Sequence, residues 1–423
     1  MTLIKTSLLN AIAVVVKMAT LLGLNKVLAL YVGPAGYAAI GQLQNAVTMF
    51  TTLASGAVST GVTKYTAEFA DRPDEQHRIW RTAGTLSLLV SCVLAALIVA
   101  LRAPLAGWFF NDETFAPVLV WFAATLVFFA FNSLLLGILN GKKDVQRYVL
   151  ANILGSLISL VVTCALTIRL GLYGALVSLA VYQSLSFVAT LVICIRTPWF
   201  RLTDFIGALD RQSLSRLAKF ALMAVVTACS LPICHVFIRD YLGAEFGWDY
   251  AGYWEAMWRL STAYLMLITT TLAVYYLPRL SELSDAGELR REIIQGYKLI
   301  LPLTIAAGLV IYLLRDFIIH VLFSESFLPM RELFAWQMVG DSLKVVSWLM
   351  AYLMLGKALT RLYLVTEVFS TLSLYALTVY FTQLWGYEKV TLAYAANYLL
   401  YGVMMYFSVF RRLHIIVGDT ARS

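Results

Sequence analysis

Charge is scarce in this sequence. Only 13% of its 423 residues are Asp, Glu, Lys or Arg, about half the ~25% usual in soluble domains. Long polar intervals are missing as well. The two most polar stretches, 71–81 and 196–219, are too short to bury a core of their own, so no soluble domain is expected. Histidine is nearly absent: His77, His235, His320 and His414 stand far apart. That spacing argues against a His-based metal or catalytic cluster, and His235, alone within an apolar run, reads as a packing residue in preference to a proton site. The five cysteines, Cys92, Cys164, Cys194, Cys229 and Cys234, all fall in apolar runs without metal-ligand spacing, and read as small core residues. No GxxxxGK[ST] phosphate loop occurs, and GKKD at 141–144 is only a basic joint. ATP hydrolysis by this chain is therefore not expected. Neither a metal, a cofactor nor a nucleic-acid partner is expected.

What is abundant is apolar sequence. Hydrophobic residues make up 61% of the chain, and the mean hydropathy is +0.79. Apolar runs of ~20 residues, the length that crosses a bilayer, recur from end to end. The spacing predicts an all-α integral membrane protein with about twelve spans: 6–31, 37–66, 80–102, 115–140, 146–169, 172–195, 216–241, 249–281, 294–314, 331–355, 359–384 and 388–411. Several are longer than a bilayer is thick, so they tilt or bend, with Gly23 and Pro232 as expected bending points. The first run, interrupted by Lys17 and Lys26, reads as a span and not as a cleavable signal.

Basic residues set the orientation. Twenty-one fall on the side that receives Lys5, Arg78, Lys142, Arg211, Arg290 and Arg412, against six (Arg102, Arg169, Arg239, Arg315, Arg331, Lys389) on the other. Both termini are therefore expected in the cytoplasm. The even span count and the basic joint in the middle suggest two six-helix bundles, 1–200 and 201–423. A thin echo between GVTKYTAEFA (61–70) and AVYYLPRLSE (273–282) agrees with an internal repeat.

Five basic residues fall inside spans: Lys17, Lys26, Lys64, Arg259 and Lys344. A charge at mid-bilayer costs roughly 2.5–3.5 kcal/mol on insertion scales, so each needs a wet cavity, a partner or a substrate. Gln337, Asp341 and Lys344 repeat at i, i+4 and i+7 and form one polar stripe. Asp341 and Lys344 are close enough in sequence to pair, either as a structural lock or as a proton-relaying stripe. Lys17 lies ~16 Å into its span by the helical rise with no acid nearby, while Lys26 can snorkel outward. Lys64 and Glu68 can pair at an interface. Glu255 and Arg259 are four apart, interleaved with Trp254 and Trp258, a combination that suits phosphate and sugar faces. Glu367 has no basic residue within four positions, so its partner must come from another helix. The spans are balanced to slightly cationic, which favours an anionic substrate head group.

Short external loops carry few acids and no catalytic constellation, which argues against a membrane enzyme; no filter-like repeat argues for a channel. A secondary transporter remains. The stretches MRELFAWQMVGDSLKV (330–345), GVTKY (61–65), KFALMAVVTACSLP (219–232), YLPRLSEL (276–283), LLRDF (313–317) and VGPAGYAAIGQLQN (32–45) resemble the Wzx-type lipid-linked oligosaccharide flippases. These belong to the multidrug/oligosaccharidyl-lipid/polysaccharide exporter superfamily. The similarity covers nearly the whole chain and looks closest to the flippases of enterobacterial common antigen and O-antigen units. It implies two six-helix bundles around a central cavity lined by the first, second, seventh and eighth spans. It implies an undecaprenyl-pyrophosphate-linked oligosaccharide as substrate, moved from the cytoplasmic to the periplasmic leaflet of the bacterial inner membrane by alternating access, driven by an ion gradient. A polymerase and a chain-length regulator would act downstream. On this reading Lys17, Lys26, Lys64 and Arg259 keep the cavity cationic or contact pyrophosphate, and Gln42, Trp254 and Trp258 contact sugars. Asp341, Lys344, Glu255 and Glu367 serve as coupling or structural ion pairs. The rivals are a small-cation or multidrug exporter of the same superfamily and a membrane glycan-processing enzyme.

Overall fold

The computed structural model describes residues 3–411 except 284 and 358, together with Leu413. Arg412, His414 and Arg422 lie outside the described residues, as do the side chains of Lys5, Arg216 and Lys219. The described chain is helical, in the order α1 (Leu3–Thr51), α2 (Ala57–Glu68), α3 (Pro73–Ala100), α4 (Arg102–Phe110), α5 (Ala116–Gly141), α6 (Val145–Ile195) and α7 (Arg211–Glu245). Then follow α8 (Trp248–Thr271), α9 (Leu277–Glu282), α10 (Ala286–Leu313), α11 (Arg315–Leu322), α12 (Phe334–Gly356), α13 (Thr360–Trp385) and α14 (Val390–Met405).

Two of these helices each make two passages. α1 breaks at Gly33 (φ 73°) and α6 at Gly171 (φ 57°), a left-handed backbone that a residue without Cβ adopts freely. In α1 the next residue is Pro34, which has no N–H to continue the ladder. The break at Gly33 thus forms the joint between the first and second spans. Single π turns join α1 to α2 (Thr52–Gly56) and α8 to α9 (Leu272–Tyr276), so these pairs read as continuous second and eighth spans.

Among the described residues eight helices are long and apolar enough to cross a membrane. Two of the eight are the kinked helices. α7 and the α8–α9 span are not among those eight. Counting them, and each kinked helix twice, gives twelve passages.

By packing, the chain divides into two compact units. One comprises 1–32 with 39–236; the other comprises 33–38 with 237–423. Within the first, the joint after α6 is tied to α3. Arg81 donates to Asp204 at 2.9 Å, Thr85 Oγ1 and Gly207 exchange two hydrogen bonds at 3.0 Å, and Phe205 stacks on Trp80. The interval expected as a polar loop is therefore a fixed strap whose apolar residues join the core.

In the second unit, residues 33–38 dock on the start of α8. Ala35 N–H donates to Asp249 at 3.0 Å, and a Cβ on Gly252 would stand 1.8 Å from the Pro34 carbonyl oxygen. Only a residue without a side chain permits that approach.

A local repeat is clearest after the third and ninth passages. Leu101 and Leu314 leave helical geometry with nearly the same angles (φ −101°, ψ 18° and φ −93°, ψ 10°), and a short helix restarts at an arginine in each case. Arg102 donates to the carbonyl of Val99 and Arg315 to that of Tyr312, both three residues back. The sequences LRAPLAGWFFNDETFAP (101–117) and LRDFIIHVLFSESFLP (314–329) carry this echo more fully than 61–70 and 273–282 do. Cys92 is exposed, unlike the buried Cys194 and Cys234; a thiol on an outer helix face replaces the expected core residue there.

Candidate functional site

The candidate residues fall into both units. In the first, Lys17 is exposed on α1 and makes no ion pair among the described residues. Lys26 is half-buried on the same helix. Gln42 is fully buried and its side-chain amide donates to the Val236 carbonyl at 3.4 Å. That bond commits its NH2 group to helix packing. Lys64 lies on the exposed end of α2, 3.9 Å from Glu68 and 5.0 Å from the centre of the Tyr65 ring. Its geometry is that of a surface pair, which contributes little to stability.

The second unit gathers the remaining candidates into two clusters, both built on α8. The first is a charge triad. Arg259 Nε donates to Glu255 Oε1 at 2.8 Å, as their spacing on one helix face permits. Arg239 Nη1, from α7, donates to the other oxygen of the same carboxylate. Arg239 is 1% exposed, so this residue at the outer end of the expected seventh span is buried in the protein. One carboxylate thus serves two guanidinium groups and the triad carries a surplus positive charge. Aromatic faces cover both cations: Arg239 lies 5.7 Å from the Trp254 ring centre and Arg259 5.1 Å from that of Tyr37.

The second cluster surrounds Asp341, which is 0% exposed. Ser261 and Tyr264 of α8 donate to Oδ2 at 2.6 and 2.8 Å. Tyr394 of α14 donates to Oδ1 at 2.7 Å, and Gln337 of α12 approaches the same oxygen at 3.4 Å. Hydrogen bonds to a charged acceptor are about twice as strong as neutral ones, so three helices are pinned at one atom pair. Gly340 makes this possible. A Cβ there would stand 2.2 Å from Tyr394 Cδ1, and the ring could not lie against α12.

Lys344 does not close an ion pair with Asp341, contrary to the pairing expected from their spacing. Its ammonium sits in an aromatic box, 4.3 Å from the ring centre of Trp258, 5.1 Å from Trp348, 5.3 Å from Tyr398 and 5.6 Å from Tyr394. The physical reason is competition. Hydroxyl donors already saturate the carboxylate, and four π faces offer the cation an alternative worth up to about 2 kcal/mol per ring when desolvated. Glu367 of α13 is half-buried, and its carboxylate makes no ion pair within 4 Å among the described residues. It interacts electrostatically with Lys344.

Sequence reasoning missed Arg239, Tyr37, Ser261, Tyr264 and Tyr394. Arg239 had a signal, since HVFIRDY continues an apolar run through it. The hydroxyl residues had none, because tyrosine and serine are ordinary in membrane helices. Trp254 is buried beside Arg239, and the partly buried Trp258 lies beside Lys344, so both tryptophans already cover cations.

Solved structures share this fold. The inward-facing conformation of a multidrug resistance MATE family transporter of the MOP superfamily matches with a TM-score of 0.75 at 18% identity, over 96% of this chain and 95% of that one. Lipid II flippase MurJ in an inward closed conformation matches with a TM-score of 0.73 at 14% identity, over 99% and 91%. The class is therefore an all-α integral membrane protein with the MOP transporter fold. Residues 27–332 match the family described as polysaccharide biosynthesis protein. The chain is 34% identical over 402 residues to the Lipid III flippase of Escherichia coli K12, spanning 95% of this chain and 96% of that protein, and equally to the Lipid III flippase of Shigella flexneri. The chain belongs to this polysaccharide biosynthesis family.

Proposed function

We propose that this protein is a flippase for an undecaprenyl-pyrophosphate-linked oligosaccharide of the common-antigen or O-antigen type. It moves its substrate from the cytoplasmic to the periplasmic leaflet of the inner membrane by alternating access between two six-helix halves, 1–200 and 201–423. The observation that carries this reading is full-length identity of 34% to relatives named Lipid III flippase. The buried charges support it. A triad of two arginines on one glutamate leaves positive charge for a pyrophosphate, and Lys17 and Lys26 add cations on α1. Guanidinium binds phosphate oxygens in a bidentate fork, and Arg259, 8% exposed, is the group of the triad nearer to solvent. Both termini lie in the cytoplasm, in keeping with the excess of basic residues on that side. A polymerase and a chain-length regulator take the product onward. The protein carries out no covalent chemistry.

A small-cation exporter shares the fold but suits these residues less well. Such a protein presents carboxylates to its cargo. Here Glu255 is held by two arginines and Asp341 by four donors.

Reconstitution in liposomes tests the reading. A fluorescent polyprenyl-pyrophosphate oligosaccharide is scored for exposure to a membrane-impermeant quencher. Wild type exchanges the probe between leaflets and Lys17→Ala does so more slowly. Export of small organic cations without lipid movement would replace the flippase with the multidrug reading.

A further inference from the structure

We propose that the protein carries two phospholipid sites, one in each repeat. Each is an apolar groove with an arginine at its end, and takes one acyl chain and the phosphate of an anionic phospholipid. The inference does not depend on what the protein transports.

The first groove lies between α3, α4 and α5 and holds about 660 Å³, within the ~300–1,000 Å³ usual for ligand sites. Its wall is mostly alanine, including Ala95 and Ala96 of α3 and Ala123 and Ala124 of α5. Methyl side chains leave a trough between the two helices. Arg102, the first residue of α4, lines the end of it. The second groove lies between α10 and α12 and holds about 530 Å³. Ile305 and Leu309 form one side, Val339 and Leu343 the other. Gly308 lies between them, where a Cβ would stand 3.4 Å from Met338 Cβ. The Ser342 hydroxyl donates to the Met338 carbonyl at 3.0 Å, so its proton is already used. Tyr312 lines the end, and the Arg315 guanidinium lies 4.4 Å from its ring centre.

Depth selects the chain. From Leu301 to Tyr312 the helix rises ~16 Å, and half of a ~30 Å hydrocarbon core is ~15 Å. The groove is therefore one leaflet deep and ends where head groups begin. Trp108 of α4, 45% exposed, is of the residue type that sits at that level. A phospholipid chain matches this depth. The polyprenyl chain of a lipid-linked sugar is longer than one leaflet is deep, and a single substrate gives no reason for two sites.

Charge selects the head. Arg102 donates to the Val99 carbonyl at 3.4 Å and Arg315 to that of Tyr312 at 2.9 Å. Neither arginine makes an ion pair among the described residues. A guanidinium has five N–H donors, so each keeps a fork for a phosphate. Asp316, the acid beside Arg315, is taken by Arg331 at 3.0 Å. Basic pockets between membrane helices bind anionic lipid head groups in this way. A smaller groove between α12 and α14, about 230 Å³, has no charged residue in its lining and is assigned no lipid.

Recurrence is the independent observation. The third and fourth passages form the first groove, and the ninth and tenth form the second. The same helix end, the same break in the helix and the same arginine return in each. A gap left by poor packing has no reason to recur at the corresponding place with the same cation.

Two measurements on the purified full chain test the proposal. In native mass spectrometry, dioleoyl phosphatidylglycerol is titrated into the detergent-solubilised protein. Two molecules bind ahead of the rest. Arg102→Gln and Arg315→Gln each weaken one of the two steps about tenfold, and Arg102→Lys keeps most of the binding. Ala124→Phe, at an exposed position, fills the first groove and weakens the same step as Arg102→Gln. In thermal unfolding, phosphatidylglycerol raises the midpoint of wild type and leaves that of the double variant Arg102→Gln/Arg315→Gln unmoved, while the two midpoints agree without lipid. Equal binding by wild type and the double variant overturns the proposal, and so does an unchanged first step in Ala124→Phe. Displacement by undecaprenyl phosphate at a lower concentration than phosphatidylglycerol gives the grooves to the polyprenyl carrier instead. Displacement by inorganic phosphate shows a head-group contact without a chain site and refutes the assignment as well.

Discussion

Glu255→Gln is the most informative single change in this protein. It keeps the shape of the side chain and removes its charge. Arg239 and Arg259, whose side chains are 1% and 10% exposed, then face each other across a neutral amide. Removing one partner of a buried ion pair costs about 3–5 kcal/mol, chiefly because the remaining charge stays buried. Here two cations are stranded by one substitution and repel one another, so the loss should reach the upper part of that range. Arg239→Gln is the control. It leaves Glu255 with Arg259, a balanced pair on one helix, and removes the surplus charge. Its cost should be smaller, about 1–3 kcal/mol for the lost charged hydrogen bond. Unfolding in mixed micelles, followed by tryptophan fluorescence, measures both variants. The expected order is Glu255→Gln well below Arg239→Gln, and Arg239→Gln below wild type. If the two variants are equally destabilised, the surplus-charge argument fails, and with it the view of the triad as an anion-seeking group.

Three further outcomes follow from named contacts. Gly340→Ala places a methyl 2.2 Å from Tyr394 Cδ1; overpacking of this kind costs about 1–3 kcal/mol, and unfolding of Gly340→Ala beside Tyr394→Phe shows whether the Asp341 bond is lost with it. Lys17 is exposed, so Lys17→Ala should change unfolding by no more than about 0.5 kcal/mol while slowing lipid exchange in liposomes; a large loss of stability would show a structural role instead. Asp210 caps α7 by accepting from the Ser213 hydroxyl at 2.6 Å and its N–H at 2.8 Å, and these bonds hold its carboxyl below the usual carboxylate range. A depressed value means stabilisation that is present above the usual range and lost as pH falls through the depressed one. Asp210→Ala should thus cost about 1 kcal/mol near neutral pH, with the difference from wild type shrinking in acid, as unfolding curves across pH would record.

Much of the fold was legible in the sequence because span length and apolar content are local properties. A run of twenty apolar residues has to be a helix in a bilayer, since no other open structure satisfies its backbone there. The breaks at Gly33 and Gly171 fell between expected spans for the same local reason. The candidate site was legible in part. Buried charge announces itself in an apolar run, so Arg259, Asp341, Lys344 and Glu367 could be singled out by cost alone.

The sequence by itself therefore determined that this is a helical membrane protein of twelve passages, in which a few charges are kept at a price in insertion energy. Only the tertiary structure decided how those charges are satisfied. Asp341 and Lys344 are three residues apart, yet the carboxylate turned to hydroxyls on α8 and α14 and the ammonium to four aromatic rings. Arg239, at the outer end of the expected seventh span, was drawn into a triad with Glu255 and Arg259. Neighbours in sequence fix which groups can meet on one helix. The choice among partners is made by other helices, because a buried charge is stabilised by every donor or π face that packing brings within about 3–6 Å.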